Sequence, residues 1–154
     1  MTKILLALHV LAAIIAIGPV TVAASMFPPA ARRASADLAD TAATTTLQVL
    51  HRICRVYAGI GVSVPLFGFA VASYMGVLGS GWLIVSIALT AAAAGILVAF
   101  VLPRQDELLE HISGQRTFSR SQTAQLAMFT GVFNLLWATV TVLMIVRPGS
   151  TTGA

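Results

Sequence analysis

The sequence predicts an all-α integral membrane protein, a four-helix antiparallel bundle with both termini outside. Of the 154 residues, 58% are hydrophobic and 9% are charged, whereas soluble domains carry roughly 25% charged residues. A chain of this size has too little interior to bury so much apolar surface, so lipid must cover the remainder. Four apolar segments of spanning length and an uneven distribution of arginine are the other two observations that predict this fold.

Each predicted span contains about 20 mostly apolar residues, which is the length that crosses the hydrocarbon core as a helix. The spans are residues 4–27, 53–75, 81–102 and 124–146. Proline cannot continue a helix without losing a hydrogen bond, so we expect prolines to end three of the helices: Pro28-Pro29, Pro103 and Pro148. The turn GVLGSG between the second and third spans is short, which predicts that those two helices are antiparallel neighbours.

The basic residues predict the orientation of the bundle. Seven of the nine lysines and arginines lie in or beside the connections at 28–52 and 103–123, and only Lys3 and Arg147 lie at the opposite side. Because lysine and arginine mark cytoplasmic loops, we expect both of these connections to face the cytoplasm and both termini to face outward. We expect the whole chain, residues 1–154, to be a single multi-pass domain in the bacterial cytoplasmic (inner) membrane. Topology also explains the net charge of +4, so the sequence does not favour nucleic-acid binding.

An alternative interpretation treats the first span as a cleavable secretory signal. Lys3, the apolar core and the stretch VAAS at residues 22–25 resemble the three regions of such a signal. The apolar stretch is longer than a usual signal core, and cleavage could move Arg32 and Arg33 outside, against the charge bias. We therefore expect the first span to be retained.

Small residues form a stripe at helical spacing along every predicted span. In membranes, small residues let helix backbones approach each other while bulky aliphatic side chains face lipid. We therefore expect these stripes to face the other helices of a closely packed four-helix bundle. In chain order they are His9, Ala12, Ala16 and Ala23; His51, Cys54, Ala58, Gly61, Pro65, Gly68 and Ala72; Ala88, Ala92, Gly95 and Ala99; and Ala127, Gly131, Asn134, Ala138 and Thr141.

His9 lies in the outer half of the first span, on its small-residue stripe. A polar side chain at that depth is a functional-site hypothesis by default. One interpretation is a hydrogen bond to a neighbouring helix, with Tyr74, Ser86 or Thr141 as partner. The other is that His9 binds a haem or a quinone. The sequence favours the helix contact.

His51 lies at the cytoplasmic edge of the second span, so His9 and His51 are roughly 20 Å apart along the membrane normal. One haem iron therefore cannot bind both histidines. A cytoplasmic basic face is predicted there, either as interfacial residues or as a binding surface for an anionic headgroup or a partner protein. It consists of Arg32, Arg33, His51, Arg52 and Arg55.

Two further residues lie near the middle of the fourth span. Trp137 is unusual there because tryptophan prefers the membrane interface, so it either fills the bundle core or stacks on a bound cofactor. Asn134 is expected to be a structural polar residue that hydrogen-bonds a backbone carbonyl freed by Pro19 or Pro65. The sequence shows no nucleophile–base pair and no metal-ligand spacing, so neither a catalytic residue nor a metal site is predicted.

Three stretches carry a resemblance: LLALHVLAAIIAIGPV, LHRICRVYAGIGV and VLMIVRPG. Together they resemble a family of predicted bacterial four-helix integral membrane proteins of unknown function. More distantly, the first-span histidine and the terminal M-x-x-[KR]-P resemble the copper-resistance D-type and HemJ-type membrane proteins. The HemJ resemblance implies a haem-linked role for His9. The tryptophan common in that group is replaced by residues 14–17, IIAI, so the oxidase activity is not transferred.

These observations lead to one main expectation and two alternatives. We expect a non-enzymatic accessory or scaffold subunit, surrounded by the lipid bilayer and assembled as a homo-oligomer or within a larger membrane complex. The first alternative is a redox-associated protein that holds haem or quinone at His9. The second is a small permease component, which only Pro19, Pro65 and a faint repeat of the two halves favour.

Overall fold

A computed structural model describes residues 2–149 as helices joined by short turns. The helices are α1 (Thr2–Ala36), α2 (Thr41–Gly61), α3 (Ser63–Met75), α4 (Gly81–Ile96), α5 (Leu102–Ser113) and α6 (Arg120–Val146), with a π-helical turn at Leu97–Val101. Within these residues, four helical stretches are long and apolar enough to cross a membrane: Lys3–Ala36, Thr41–Met75, Gly81–Ser113 and Arg120–Val146. The predicted all-α, four-helix membrane architecture is confirmed.

Helix α1 contacts most of the other helices. It packs against α2 and α3 on one side and against α6 on another, and α6 in turn packs against α4. The second and third spans meet mainly where α5 contacts α2. At the other end, α3 packs on α1 and α4 packs on α6, although α3 and α4 are joined by only residues 76–80. The short turn therefore makes these spans antiparallel without making them close neighbours along their whole length.

The expectation that Pro28-Pro29 ends the first helix is wrong, because α1 continues through both prolines to Ala36. Phe27, Pro28 and Ala31 are fully buried, so packing of this segment against its neighbours outweighs the loss of two backbone hydrogen bonds, one at each proline. Over 35 residues the helix is about 52 Å long. It therefore extends well beyond a hydrocarbon core of about 30 Å.

Pro103 also lies inside helical structure, and the π-helical turn explains why. The turn at Leu97–Val101 ends one helix, and Pro103 occupies the first turn of α5, where proline has no hydrogen bond to lose. At the fourth span the expectation is confirmed, since α6 ends at Val146 just before Pro148. The connections predicted at 28–52 and 103–123 are consequently helical except at residues 37–40 and 114–119.

The predicted inward stripes are confirmed on the first two spans and largely wrong on the other two. Ala16, Ala23, Cys54 and Ala72 are buried. On the third span the whole stripe is exposed, and the opposite side of the helix faces the bundle, with Leu83, Ser86, Ala93 and Leu97 buried. On the fourth span Ala127, Ala138 and Thr141 are exposed, whereas Leu126, Thr130, Phe133 and Val140 are buried. Both sides of these helices are apolar, so apolar character alone does not determine which side packs against the bundle.

Candidate functional site

His9 contacts the backbone of α3. Its Nδ1 lies 3.0 Å from the carbonyl oxygen of Val64, and because a carbonyl only accepts, Nδ1–H is the donor. The ring also packs on Gly68, where an added Cβ would lie 3.0 Å from His9 Cε1. The hydrogen bond to a neighbouring helix is therefore present, but with a partner different from the predicted side chains.

The predicted partners of His9 have other contacts. Ser86 Oγ donates to the carbonyl of Trp82, and Thr141 Oγ1 donates to the carbonyl of Trp137, so each hydroxyl is hydrogen-bonded within its own helix. A hydroxyl commonly bonds back to the preceding helical turn in this way. The sequence could not reveal the actual acceptor, because every residue carries a carbonyl and only the packing selects one.

The hydrogen bond to Val64 also fixes which nitrogen of His9 carries the lone pair. With the proton on Nδ1, the neutral ring keeps Nε2 as its acceptor atom. Metal-bound histidines are commonly oriented by the same kind of bond from the second ring nitrogen to a carbonyl. The geometry of His9 thus serves a helix contact and is also compatible with a ligand on Nε2.

A second polar cluster joins α2 to α5; we call His51, Cys54, Gln105 and Asp106 the His51 cluster. His51 is only 7% exposed, and its Nδ1 lies 3.0 Å from Gln105 Oε1. Its Nε2 lies 2.8 Å from Asp106 Oδ1, without the alignment of a hydrogen bond. Gln105 is fully buried and its Nε2 donates to Cys54 Sγ at 3.6 Å. The cluster therefore holds α5 against α2.

This geometry corrects the predicted basic face. His51 is directed at α5 and is buried, so it does not share the exposed surface of Arg32, Arg33, Arg52 and Arg55. The physical reason is that the ring of His51 gains a side-chain hydrogen bond to Gln105 through Nδ1 when it is directed toward α5. The binding of an anionic headgroup or partner protein by the four arginines stays a prediction.

Sequence reasoning missed Gln105 and Asp106, although one signal was present. Gln105, Leu108 and Ile112 are spaced as one face of a helix, and all three are buried. A polar residue in line with two core positions is a candidate for a buried hydrogen bond. Only the fold shows that His51 is the partner.

Asn134 and Trp137 are both directed into contacts between helices. Asn134 Nδ2 donates to Ser25 Oγ at 3.1 Å, so its partner is a side chain of α1 and not a carbonyl freed by Pro19 or Pro65. Trp137 packs on the core and meets Phe133 edge-on, with ring centroids 6.4 Å apart. These contacts favour the core-filling interpretation of Trp137, and a cofactor contact stays a prediction.

The exposed stripe of the third span forms a surface that we call the α4 small face: Ala88, Ala92 and Gly95 of α4, and Ala99 of the π-helical turn that follows it. At about 100° per residue, these residues lie opposite the buried Ala93 and Leu97. A Cβ added at Gly95 would meet nothing within 4 Å. The surface is therefore open and free of protruding side chains at its centre.

The structure does not gather acidic, histidine and cysteine side chains into a metal-binding group. Within residues 2–149, no set of three or more such residues is placed to hold an ion. The features of the described residues that could bind a ligand or a partner are the single histidine contacts and the helix faces.

Comparison with known proteins identifies the family. A family model described as a predicted integral membrane protein (DUF2269) matches residues 3–148, so the chain belongs to this family and is an integral membrane protein of unknown function. No curated protein and no solved structure matches the chain. The resemblance to copper-resistance D-type and HemJ-type proteins stays a prediction.

The contact between His9 and Gly68 gives a test of the packing. Gly68→Ala adds a methyl group 3.0 Å from His9 Cε1, so we expect the ring to be displaced and the free energy of unfolding to fall by about 1–3 kcal/mol, as for an overpacked core. Thermal unfolding of the detergent-purified protein measures this change. Gly59→Ala is the matched control, because its Cβ meets nothing within 4 Å. An equal loss of stability in both variants would contradict the contact.

Proposed function

We propose that this DUF2269 protein is a non-enzymatic accessory or scaffold subunit of the bacterial inner membrane. It assembles through the α4 small face, and the partner helix is α4 of a second copy of the chain. A two-fold interface uses the same patch on both copies, and a row of small residues is complementary to itself. The exposure of this face is the observation that carries the proposal.

The argument depends on how helices associate in lipid. Lipid tails are as apolar as leucine, so helix association relies on close packing, to which small residues contribute most. Here the small residues of α4 face outward, while Leu83 and Leu97 face the bundle. Two bulky side chains beside the face, Ile84 and Val98, are 55% and 61% exposed. They would pack along the flanks of a helix that sits on the small face.

The distribution of charge supports the proposed orientation. Arg32 and Arg33 are exposed near the end of α1, and Arg52 and Arg55 are exposed on α2. Arginine near helix ends is typical of the cytoplasmic side. The scaffold would therefore have its helical extensions in the cytoplasm and the turn between α3 and α4 outside.

The assembly is tested by adding a bulky side chain to the α4 small face. Ala92→Leu places a branched side chain in the middle of that face, so we expect the dimer to dissociate at least about tenfold more readily, the effect of a loss of about 1.4 kcal/mol. Native mass spectrometry of protein extracted in mild detergent measures the oligomer distribution.

The matched control for this experiment lies two residues away. Ala94→Leu makes the same change at another exposed position of α4, but about 200° around the helix from Ala92. We expect its oligomer distribution to equal that of the unmodified protein. A monomeric unmodified protein, or equal effects of the two variants, would refute assembly through this face.

A second candidate function is supported by the orientation of His9. With Nδ1–H donated to Val64, Nε2 of His9 is the atom that would bind a haem iron in a redox-associated membrane protein. Haem supplies one-electron chemistry when bound, and the protein would contribute the axial ligand and its orientation.

Absorption spectroscopy distinguishes a His9 that binds haem from a His9 that only contacts α3. If His9 binds haem, protein from haem-replete cells shows a Soret band that is lost in His9→Ala and kept in His111→Ala, since His111 Nδ1 bonds only to its own helix at Glu107. A colourless unmodified protein with no haem in a pyridine assay would eliminate the haem site.

A further inference from the structure

A cleft of about 230 Å³ lies between α1 and α6. Its lining includes Ser25, Pro28, Arg32, Thr130 and Asn134. Gly131 belongs to the same wall, and a Cβ added there would meet nothing within 4 Å. The cleft is therefore bounded by short side chains and has room next to the helix backbone.

Two of the residues that line this cleft each carry a buried polar atom that has no partner among the residues that the structure describes. Thr130 is 3% exposed, and its Oγ1 makes no hydrogen bond there. Oδ1 of Asn134 is also buried and unpaired, while its Nδ2 donates to Ser25 Oγ. Rotating the amide would let Ser25 donate to Oδ1 and free the NH₂ group for the cleft. In either orientation the cleft offers hydrogen-bonding capacity that the protein leaves unused, which is uncommon for buried groups.

A cationic side chain lies at the end of the cleft nearer the end of α1. Arg32 is exposed and lines the cleft. Within residues 2–149 its guanidinium has neither a carboxylate nor a carbonyl partner. By contrast, the side chain of Arg104 donates to Gln125. An unpaired guanidinium beside unpaired buried polar groups is suited to an anion, and its fork geometry fits phosphate.

The polar groups are arranged by depth. Ser25 lies seven residues before Arg32 on α1, which is about 10 Å along the helix. On the antiparallel α6, Thr130 lies one turn nearer to the arginine end than Asn134. A ligand lying along the cleft would meet the guanidinium first, then the hydroxyl of Thr130 and then the amide of Asn134.

We propose that this cleft binds one anionic phospholipid, with its phosphate on Arg32 and its glycerol-ester region on Thr130 and Asn134. Ester carbonyls accept hydrogen bonds from the hydroxyl of Thr130 and, with the amide of Asn134 rotated so that Ser25 donates to Oδ1, from its NH₂ group. A space of about 230 Å³ admits the phosphoglycerol region and the start of one chain, and the remaining acyl chains lie in the bilayer. The lipid site is separate from the α4 small face, so either can fail without the other.

The experiment measures lipid binding by the full-length protein. Delipidated protein in detergent is titrated with phosphatidylglycerol, with zwitterionic phosphatidylcholine and with soluble glycerol phosphate, and native mass spectrometry counts the bound molecules. We expect one phosphatidylglycerol to bind, phosphatidylcholine to bind more weakly, and glycerol phosphate to bind far more weakly than either. Equal binding of the two lipids, or glycerol phosphate binding as tightly as phosphatidylglycerol, would overturn the proposal.

Charge-matched variants locate the phosphate. Arg32→Gln should weaken phosphatidylglycerol binding at least about tenfold, the usual effect of losing a charge-assisted hydrogen bond. Arg33→Gln makes the same change outside the cleft and should leave the affinity unchanged. Equal losses in both variants would show diffuse attraction by positive charge and would refute the site.

Variants of the inner part of the cleft test the depth assignment. Thr130→Val removes the unpaired hydroxyl at nearly constant volume, and Gly131→Leu adds a bulky side chain at a position where a Cβ meets nothing within 4 Å. We expect both to reduce phosphatidylglycerol binding, while Thr139→Val, whose hydroxyl is exposed and donates to Leu135, does not. If Gly131→Leu folds with unchanged thermal stability and still binds the lipid fully, the cleft is not the site.

Discussion

The close packing of α1 is the interaction on which the rest of the bundle depends. Ala16, Ala24 and Ala31 are completely buried along it, so its backbone lies near those of the helices on both sides. In lipid the hydrophobic effect contributes little between helices, and this close approach takes its place. Because α1 contacts both α3 and α6, the same packing brings His9 to the carbonyl of Val64 and Ser25 to Asn134. The polar contacts follow from the packing.

The two ends of the bundle are held by different means. Near the end of α1, the His51 cluster attaches α5 to α2 and buries Gln105 completely, which closes the bundle there. Toward the other end, α3 relies on α1 and α4 relies on α6. This arrangement leaves α4 at the edge of the bundle, with its small face toward lipid. An edge helix with such a surface is the part of the molecule best suited to contact another membrane helix.

The parts of the fold that could be predicted follow from hydropathy and spacing. Apolar length defines the four spans, and the small stripe of the first span correctly places Ala16 and Ala23 inside. Pro28 was misleading, because tertiary packing keeps the helix continuous through it. The inward side of α4 could not be predicted, because lipid and the protein interior are equally apolar. Either side of that helix can therefore face lipid or the bundle. For the candidate site, His9 was found from its depth, but Gln105 needed the fold.

Disulfide crosslinking in native membranes tests the central claim most directly, namely that the α4 small face packs on the same face of a second copy. Cys54→Ala first removes the single cysteine of the chain, and Ala92→Cys or Ala94→Cys is then added to that background. A disulfide requires Cα atoms within about 7 Å, so mild oxidation should give a covalent dimer with Ala92→Cys and little with Ala94→Cys. The absence of a dimer with Ala92→Cys, or equal crosslinking at both positions, would contradict the account.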